Sequence, residues 1–224
     1  ILEGDYSQLE FRVAGFLAGD VGIQEDVAAG TDVHNYTAGI IGCSRQEAKA
    51  HTFKPLYGGV SGTDDQKRYY QAFKEKYAGV TDWHEDLQRD AVTKGFITLP
   101  SGRQYCFPGT TWTEWGTATN RTAICNYPVQ GFATADLLPL ALVHLHKSLQ
   151  NSGLRSLICN TVHDSIVMDV YPGEEQQCID IMAKSMLCIP EETARRYGVR
   201  YDMPVGIELK MGKNWLDLSE VLVV

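Results

Sequence analysis

Asp5-Tyr6-Ser7-Gln8-Leu9-Glu10-Phe11-Arg12 is the stretch on which the reading of this chain turns. An apolar opening, Ile1-Leu2, gives way there to apolar positions at helical spacing, Leu9, Val13, Phe16 and Leu17. The pattern predicts a short buried strand over 1–6 and a helix over 7–18, closed by Gly19-Asp20. Ser7 stands where a cap would, with Glu10 three positions on in the capping-box place. Asp5 then sits at a strand end beside a helix start, a position suited to holding a cation. A single acid there is more often part of an ordinary turn, so the rest of the chain must supply partners.

The bulk properties set limits. A chain of 224 residues makes one large domain or two modest ones and is long enough to bury a core. Hydrophobic residues at 44% and charged residues at 21% describe an ordinary soluble globular protein. A net charge of -8 argues against gripping nucleic acid by overall charge alone and leaves room only for a local basic cleft. The six cysteines, at 43, 106, 125, 159, 178 and 188, form no Cys-x-x-Cys pair and read as reduced core thiols of an intracellular protein. No apolar run reaches the roughly 18 residues of a membrane span, and no signal peptide is visible. The opening on Ile, inside a strand, suggests a piece of something longer.

The second informative stretch is Ser44-Arg45-Gln46-Glu47-Ala48-Lys49-Ala50-His51-Thr52-Phe53-Lys54-Pro55-Leu56-Tyr57-Gly58. Ser44 and Glu47 make a capping box. Arg45, Lys49, Phe53 and Tyr57 fall at four-residue steps and share one helix face, drifting by about 40° per step. Two cations followed by two aromatics suit a ligand with polyphosphate at one end and a flat ring at the other. An amphipathic surface helix with snorkelling cations is the plainer alternative. Pro55 must end or kink the helix, because it removes a hydrogen bond and clashes with the preceding turn.

Around these stretches, 24–42 reads as helical pieces carrying His34. Thr63 and Gln66 form a second capping box ahead of an exposed helix over 64–78, and a further helix covers 81–94. Residues 96–107 form a hairpin and 109–119 a loop. A long apolar helix over 129–150, kinked at Pro139, follows Asn126-Tyr127-Pro128-Val129-Gln130-Gly131, whose amides suit either base edges or helix capping. The third informative stretch is a hairpin: strand 157–162, the turn His163-Asp164-Ser165, then strand 166–170. It presents a second carboxylate on a rigid support, although Asp also favours plain turns. Residues 174–188 read as helix and 203–211 as the final strand.

Asp5 and Asp164 lie 159 positions apart, both at strand ends. If those strands pair, the carboxylates meet, and they repel unless a divalent cation sits between them. Mg²⁺ binds through one or two carboxylates plus substrate phosphates. Two acids and a cationic helix for a triphosphate are the parts for nucleotidyl transfer with two metal ions.

These residues carry a resemblance. The Asp5–Arg12 stretch resembles motif A of family A (DNA polymerase I-like) DNA polymerases. Arg45-x₃-Lys49-x₃-Phe53-x₃-Tyr57-Gly58 resembles motif B, and Val162-His163-Asp164 resembles motif C. Asn126-x-Pro128-Val129-Gln130-Gly131 and Gly212-x-x-Trp215 match as well, in order and over nearly the whole chain. The resemblance implies an α+β right-hand polymerase fold: a palm of antiparallel sheet and helices over 1–30 and 126–224, with a mostly helical fingers insertion over 31–125. It further implies that thumb and exonuclease are absent, as in a C-terminal portion of a phage-type or split enzyme. By the same analogy Asp5, Asp164 and the Tyr6 carbonyl hold two Mg²⁺ ions, and Asp5, Asp164 and Lys49 are catalytic. Arg45, Lys49, Phe53, Tyr57, Glu10, Gln8 and His34 bind the incoming dNTP, with Glu10, paired to Tyr57, crowding out a ribose 2′-hydroxyl. Gln130, Asn126, His163 and Arg121 contact the DNA. The implied partners are primer–template, dNTP and a complementary polymerase chain or segment carrying the thumb and the remaining palm, with no membrane. The implied place is the cytoplasm of a bacterial or phage-infected cell, or an organelle. The alternative is a non-catalytic polymerase-like module binding primer–template or a partner protein. The chain departs from the family pattern at Lys54-Pro55, at Ser165, where many members carry a third acid, and at Thr122, where the family has arginine.

Overall fold

A computed structural model describes all 224 residues. Strand β1 (Leu2–Tyr6) alternates as expected, burying Leu2, Gly4 and Tyr6 and turning Glu3 and Asp5 to the other face. Helix α1 (Leu9–Ala18) begins two residues later than its sequence predicts. Gln8 takes a left-handed conformation at φ 53°, and the Ser7 amide donates to the Gly206 carbonyl at 2.9 Å. Ser7 therefore lies one position outside the cap assigned to it. Asp20 caps α2 (Val21–Ala28) and Asp32 caps α3 (Val33–Ile41), each carboxylate accepting from backbone amides.

Helix α4 (Arg45–Thr52) carries the expected Ser44–Glu47 capping box. Pro55 ends it: the chain leaves the helix at Phe53 and makes one 3₁₀ turn over Pro55–Tyr57, with the proline in the first turn, where a missing N–H costs nothing. Helix α5 (Asp64–Lys76) has the expected Thr63–Gln66 box and exposes its charged side, but its other side is buried. Tyr69, Tyr70 and Phe73 lie on one side of it and are buried. Helix α6 (Ala78–Lys94) leads into the hairpin of β2 (Phe96–Thr98) and β3 (Gln104–Cys106).

The long helix expected from 129 starts eight residues earlier, as α7 (Arg121–Gln130). Asn126 and Gln130 are thus on a helix and not ahead of one. A wide π-helical stretch over Gly131–Leu137 follows, and then α8 (Leu138–Ser152), with Pro139 in its first turn. The wide turns take up the ring and the missing donor that would otherwise force a sharp kink. The chain closes with β4 (Leu157–Val162), β5 (Ser165–Asp169), α9 (Glu175–Leu187), α10 (Ile189–Tyr197), β6 (Ile207–Met211) and β7 (Ser219–Val223). Helix α10 and strand β7 are additions to what the sequence pattern indicates.

The chain divides into two compact units, residues 1–9 with 131–224, and residues 10–130. The first is built on a five-stranded antiparallel sheet of order β4-β5-β1-β6-β7. Leu2, Ile166, Met168, Ile207 and Leu209 line its buried face beneath Met182 and Met186 of α9. Gly4 permits this closeness, since a Cβ there would lie 2.5 Å from the Met186 sulfur. The second unit is helical apart from its hairpin. Phe11, Tyr69, Phe73 and Tyr77 form one buried group, and Leu87, Ala91, Ile97, Phe107 and Ile124 another. The class is the α+β one expected, with an antiparallel sheet and helices. No helix is long and apolar enough to cross a membrane. All six cysteines are free, but Cys106 and Cys159 are exposed and not core thiols: each sits on the open side of its strand.

Candidate active site

The two motif carboxylates meet. Strands β1 and β5 pair with Asp5 opposite Ser165, which places Asp164, the residue before β5, beside Asp5. Partial burial and the Asp164 charge push the Asp5 carboxyl up to about 6; Glu3 and Glu208 add to the rise and Lys210 opposes it. Burial also raises Asp164, while its own amide, His163 and a hydrogen bond with Asp5 draw it down. Such a pair resists joint ionisation. His163 is held at φ 54°, a left-handed conformation that favours glycine and strains other residues. Each carboxylate thus lies within three residues of a strained non-glycine backbone position, Gln8 or His163.

The donors on offer are two carboxylates and main-chain carbonyls. Tyr6 turns its side chain into the core, where its hydroxyl donates to the Met186 carbonyl at 2.9 Å, so only its backbone is left for a cation. No group of three or more Asp, Glu, His or Cys side chains converges. Ser165, at the place of a third acid, donates its hydroxyl to the Val162 carbonyl at 3.1 Å and closes the turn. The base of this hairpin is fixed by Glu174, whose carboxylate accepts from the Arg155 amide at 3.0 Å, the Ser156 amide at 2.9 Å and the Ser156 hydroxyl at 2.6 Å.

The second unit holds the cationic and aromatic residues. Arg45 and Lys49 lie exposed on α4, four residues apart. Phe53, just past the helix, stacks on Phe11 with ring centroids 6.2 Å apart and lies 5.4 Å from the His34 ring. His34 Nδ1 is 3.0 Å from the Thr52 hydroxyl. Burial and the nearby Arg45 lower its pKa, which keeps the imidazole neutral at pH 7. Tyr57 ends the 3₁₀ turn and Glu10 opens α1, both half-buried. Asp32, which sequence reasoning missed, binds Arg45 Nε at 2.7 Å. Burial alone would raise Asp32, but Arg45 and two helix amides hold it below the usual carboxylate range. Its position as the cap of α3 was the available signal.

The residues expected to touch DNA are dispersed. Gln130 is exposed at the end of α7 and His163 at the hairpin tip. Asn126 is half-buried, with its side-chain oxygen enclosed and unpaired. Arg121 turns inward, donating to the Gly58 carbonyl at 2.9 Å. A cavity of about 580 Å³ lies in the second unit between Lys74, His84, Arg89, Trp112 and Arg121, and of the expected residues it contains only Arg121. It is a poorer candidate than the carboxylate pair, because it gathers no pair of acids or nucleophile.

Residues 1–217 match the family model of DNA polymerase family A. The chain belongs to DNA polymerase family A. Among its curated relatives, DNA polymerase I of Lactococcus lactis (strain IL1403) is 30% identical over 238 residues, a match that covers 97% of this chain and 26% of that protein. The thermostable DNA polymerase I of Thermus thermophilus is 29% identical and matches 96% of this chain and 27% of its own length. The chain therefore spans about a quarter of these two family A relatives. The polymerase domain of Pol1 from M. smegmatis, solved with primer–template and dNTP, shares the fold with a TM-score of 0.79 at 24% identity, over 96% of this chain and 39% of that one.

Proposed function

We propose that this chain is the palm and fingers portion of a DNA-directed DNA polymerase, transferring a nucleotidyl group from dNTP to a primer 3′-hydroxyl. The carrying observation is the adjacency of Asp5 and Asp164 across the β1–β5 pairing, with Asp5 raised to about 6. An all-oxygen donor set, and two carboxyls that resist joint ionisation without a cation, fit Mg²⁺. Asp5, Asp164 and the Tyr6 carbonyl would hold two such ions. Bound there, they would acidify the primer hydroxyl and offset charge on the α-phosphate and leaving pyrophosphate.

The chain's own residues do the rest. Arg45 and Lys49 grip the triphosphate, and Lys49 supplies positive charge as the transferring group becomes more anionic. Asp32 holds Arg45 in place before the nucleotide arrives. Phe53 stacks on the incoming nucleotide, with His34, Tyr57 and Gln8 around it, and Glu10 excludes a 2′-hydroxyl. Gln130, Asn126 and His163 meet the duplex. The sheet-bearing unit is assigned to the palm and the helices around α4 to the fingers. A complementary chain or segment supplies the remaining palm and the thumb, and the setting is a bacterial or phage-infected cytoplasm.

Primer extension with Mg²⁺ and dNTP, with the complementary portion present, tests the proposal. Asp164→Asn should abolish extension, by at least roughly a thousandfold as expected when charge stabilisation of the transition state is lost. Full activity in that variant would remove the assignment.

A further inference from the structure

The face of the sheet that carries Asp5 holds a cation of its own. Strands β1 and β6 pair with Asp5 opposite Glu208 and Glu3 opposite Lys210. Their alternating partners Leu2, Gly4, Tyr6, Ile207 and Leu209 point into the core. Glu3, Asp5, Glu208 and Lys210 therefore stand together on the other side. The Lys210 ammonium is 2.9 Å from the Glu208 carboxylate. Glu3 is held separately, accepting from the Trp215 indole N–H at 3.1 Å. With Asp164 beside Asp5, four carboxylates share this region with one ammonium.

We infer that Lys210, held by Glu208, is a positioning residue that sets the cation affinity of the Asp5–Asp164 pair. The inference rests on the metal reading above. Glu208 is turned toward Lys210 and does not converge with the two aspartates into a third ligand. The pair acts through its field. Lys210 stands diagonally across from Asp5, two positions along β6 from Glu208, the residue that faces Asp5. The ammonium repels a divalent cation that arrives at the pair. Glu208 restrains it, drawing the ammonium away from the aspartates. Ser165, tied to the Val162 carbonyl, contributes no charge of its own, and the ammonium on this face comes from β6.

The test is Mn²⁺ binding by the protein, followed by loss of the free-ion electron paramagnetic resonance signal. Lys210→Met keeps the apolar stem and removes the charge. It should tighten Mn²⁺ by roughly three- to tenfold at low salt, as expected for one unit charge acting on a divalent ion across several ångströms of partly solvated protein. Glu208→Gln frees the ammonium and should weaken binding by a similar factor, whereas Lys210→Arg should restore wild-type affinity. Both effects should shrink in 0.5 M salt. Unchanged Mn²⁺ affinity in Lys210→Met, with Asp164→Asn still abolishing binding, overturns the inference and leaves the metal reading intact. Mn²⁺ binding indifferent to Asp164→Asn overturns both.

Discussion

His163 and Gln8 each hold a left-handed backbone that costs a non-glycine residue roughly 1–2 kcal/mol. Glycine accepts such angles freely but loses more entropy on folding, by about 0.5–1 kcal/mol. His163→Gly should thus raise thermal stability by up to about 1 kcal/mol, read as a small increase in Tm, and a fall in Tm would mean that the ring makes contacts worth more than the strain. His84 offers a pH dependence of known sign. Burial, with Arg121 and Lys74 nearby, drives its pKa down to about 4 against an ordinary value near 6.5, while its ring Nε2 stays 2.9 Å from the Leu56 carbonyl. The unfolded chain therefore binds the extra proton first, between about pH 6.5 and 4, and stability falls as pH falls through that window. The loss is on the order of 3 kcal/mol when complete. His84→Gln should flatten the acid limb of a urea-denaturation series, and an unchanged limb would assign acid sensitivity elsewhere.

At the scale of elements, the hairpin of β4 and β5 owes its fixed base to Glu174. Glu174→Ala should speed hydrogen exchange at the amides of Arg155, Ser156 and the flanking hairpin while leaving α9 protected. Equal protection in both proteins would show that strand pairing alone suffices. Much of this architecture is legible in the sequence because local rules decide it. The capping boxes at Ser44 and Thr63 and the break at Pro55 stand as their residues dictate. The sequence fails where tertiary contact overrides local preference. Ser7 looks like a cap, but its amide is drawn to Gly206, nearly 200 positions away. Charges mark α5 as a surface helix, yet three aromatics bury one side of it. Strand β7 exists because β6 offers it an edge. Of the candidate site, the carboxylate pair is legible in motif order and Asp32 as a helix cap, whereas Glu208 and Lys210 are visible only once the strands are placed.

For the whole molecule, both outer strands of the sheet are incompletely covered. Leu157 on β4 is 68% exposed and Val223 on β7 is 57% exposed, and Leu216, ahead of β7, is 92% exposed. Open strand edges with apolar side chains invite pairing with another chain. Gel filtration of the isolated 224-residue chain should show association that grows with concentration, and addition of a complementary polymerase segment should suppress it. A compact monomer at all concentrations would count against such dependence.

The central place of β1 has a consequence for how the protein is made. Both of its neighbours come from far along the chain: Asp5 faces Ser165 on one side and Glu208 on the other. At a synthesis rate of about 5–20 residues per second, β1 leaves the ribosome roughly 8–30 s before either partner exists. The helical unit over 10–130 is complete in that interval and is free to fold first. The strand bearing the first carboxylate waits, unpaired, until β5 and then β6 emerge. The carboxylate pair in its full sheet is thus among the last things folding produces, and a nascent chain cut short before β6 would carry the stretches around Asp5, Lys49 and Asp164 and no finished sheet.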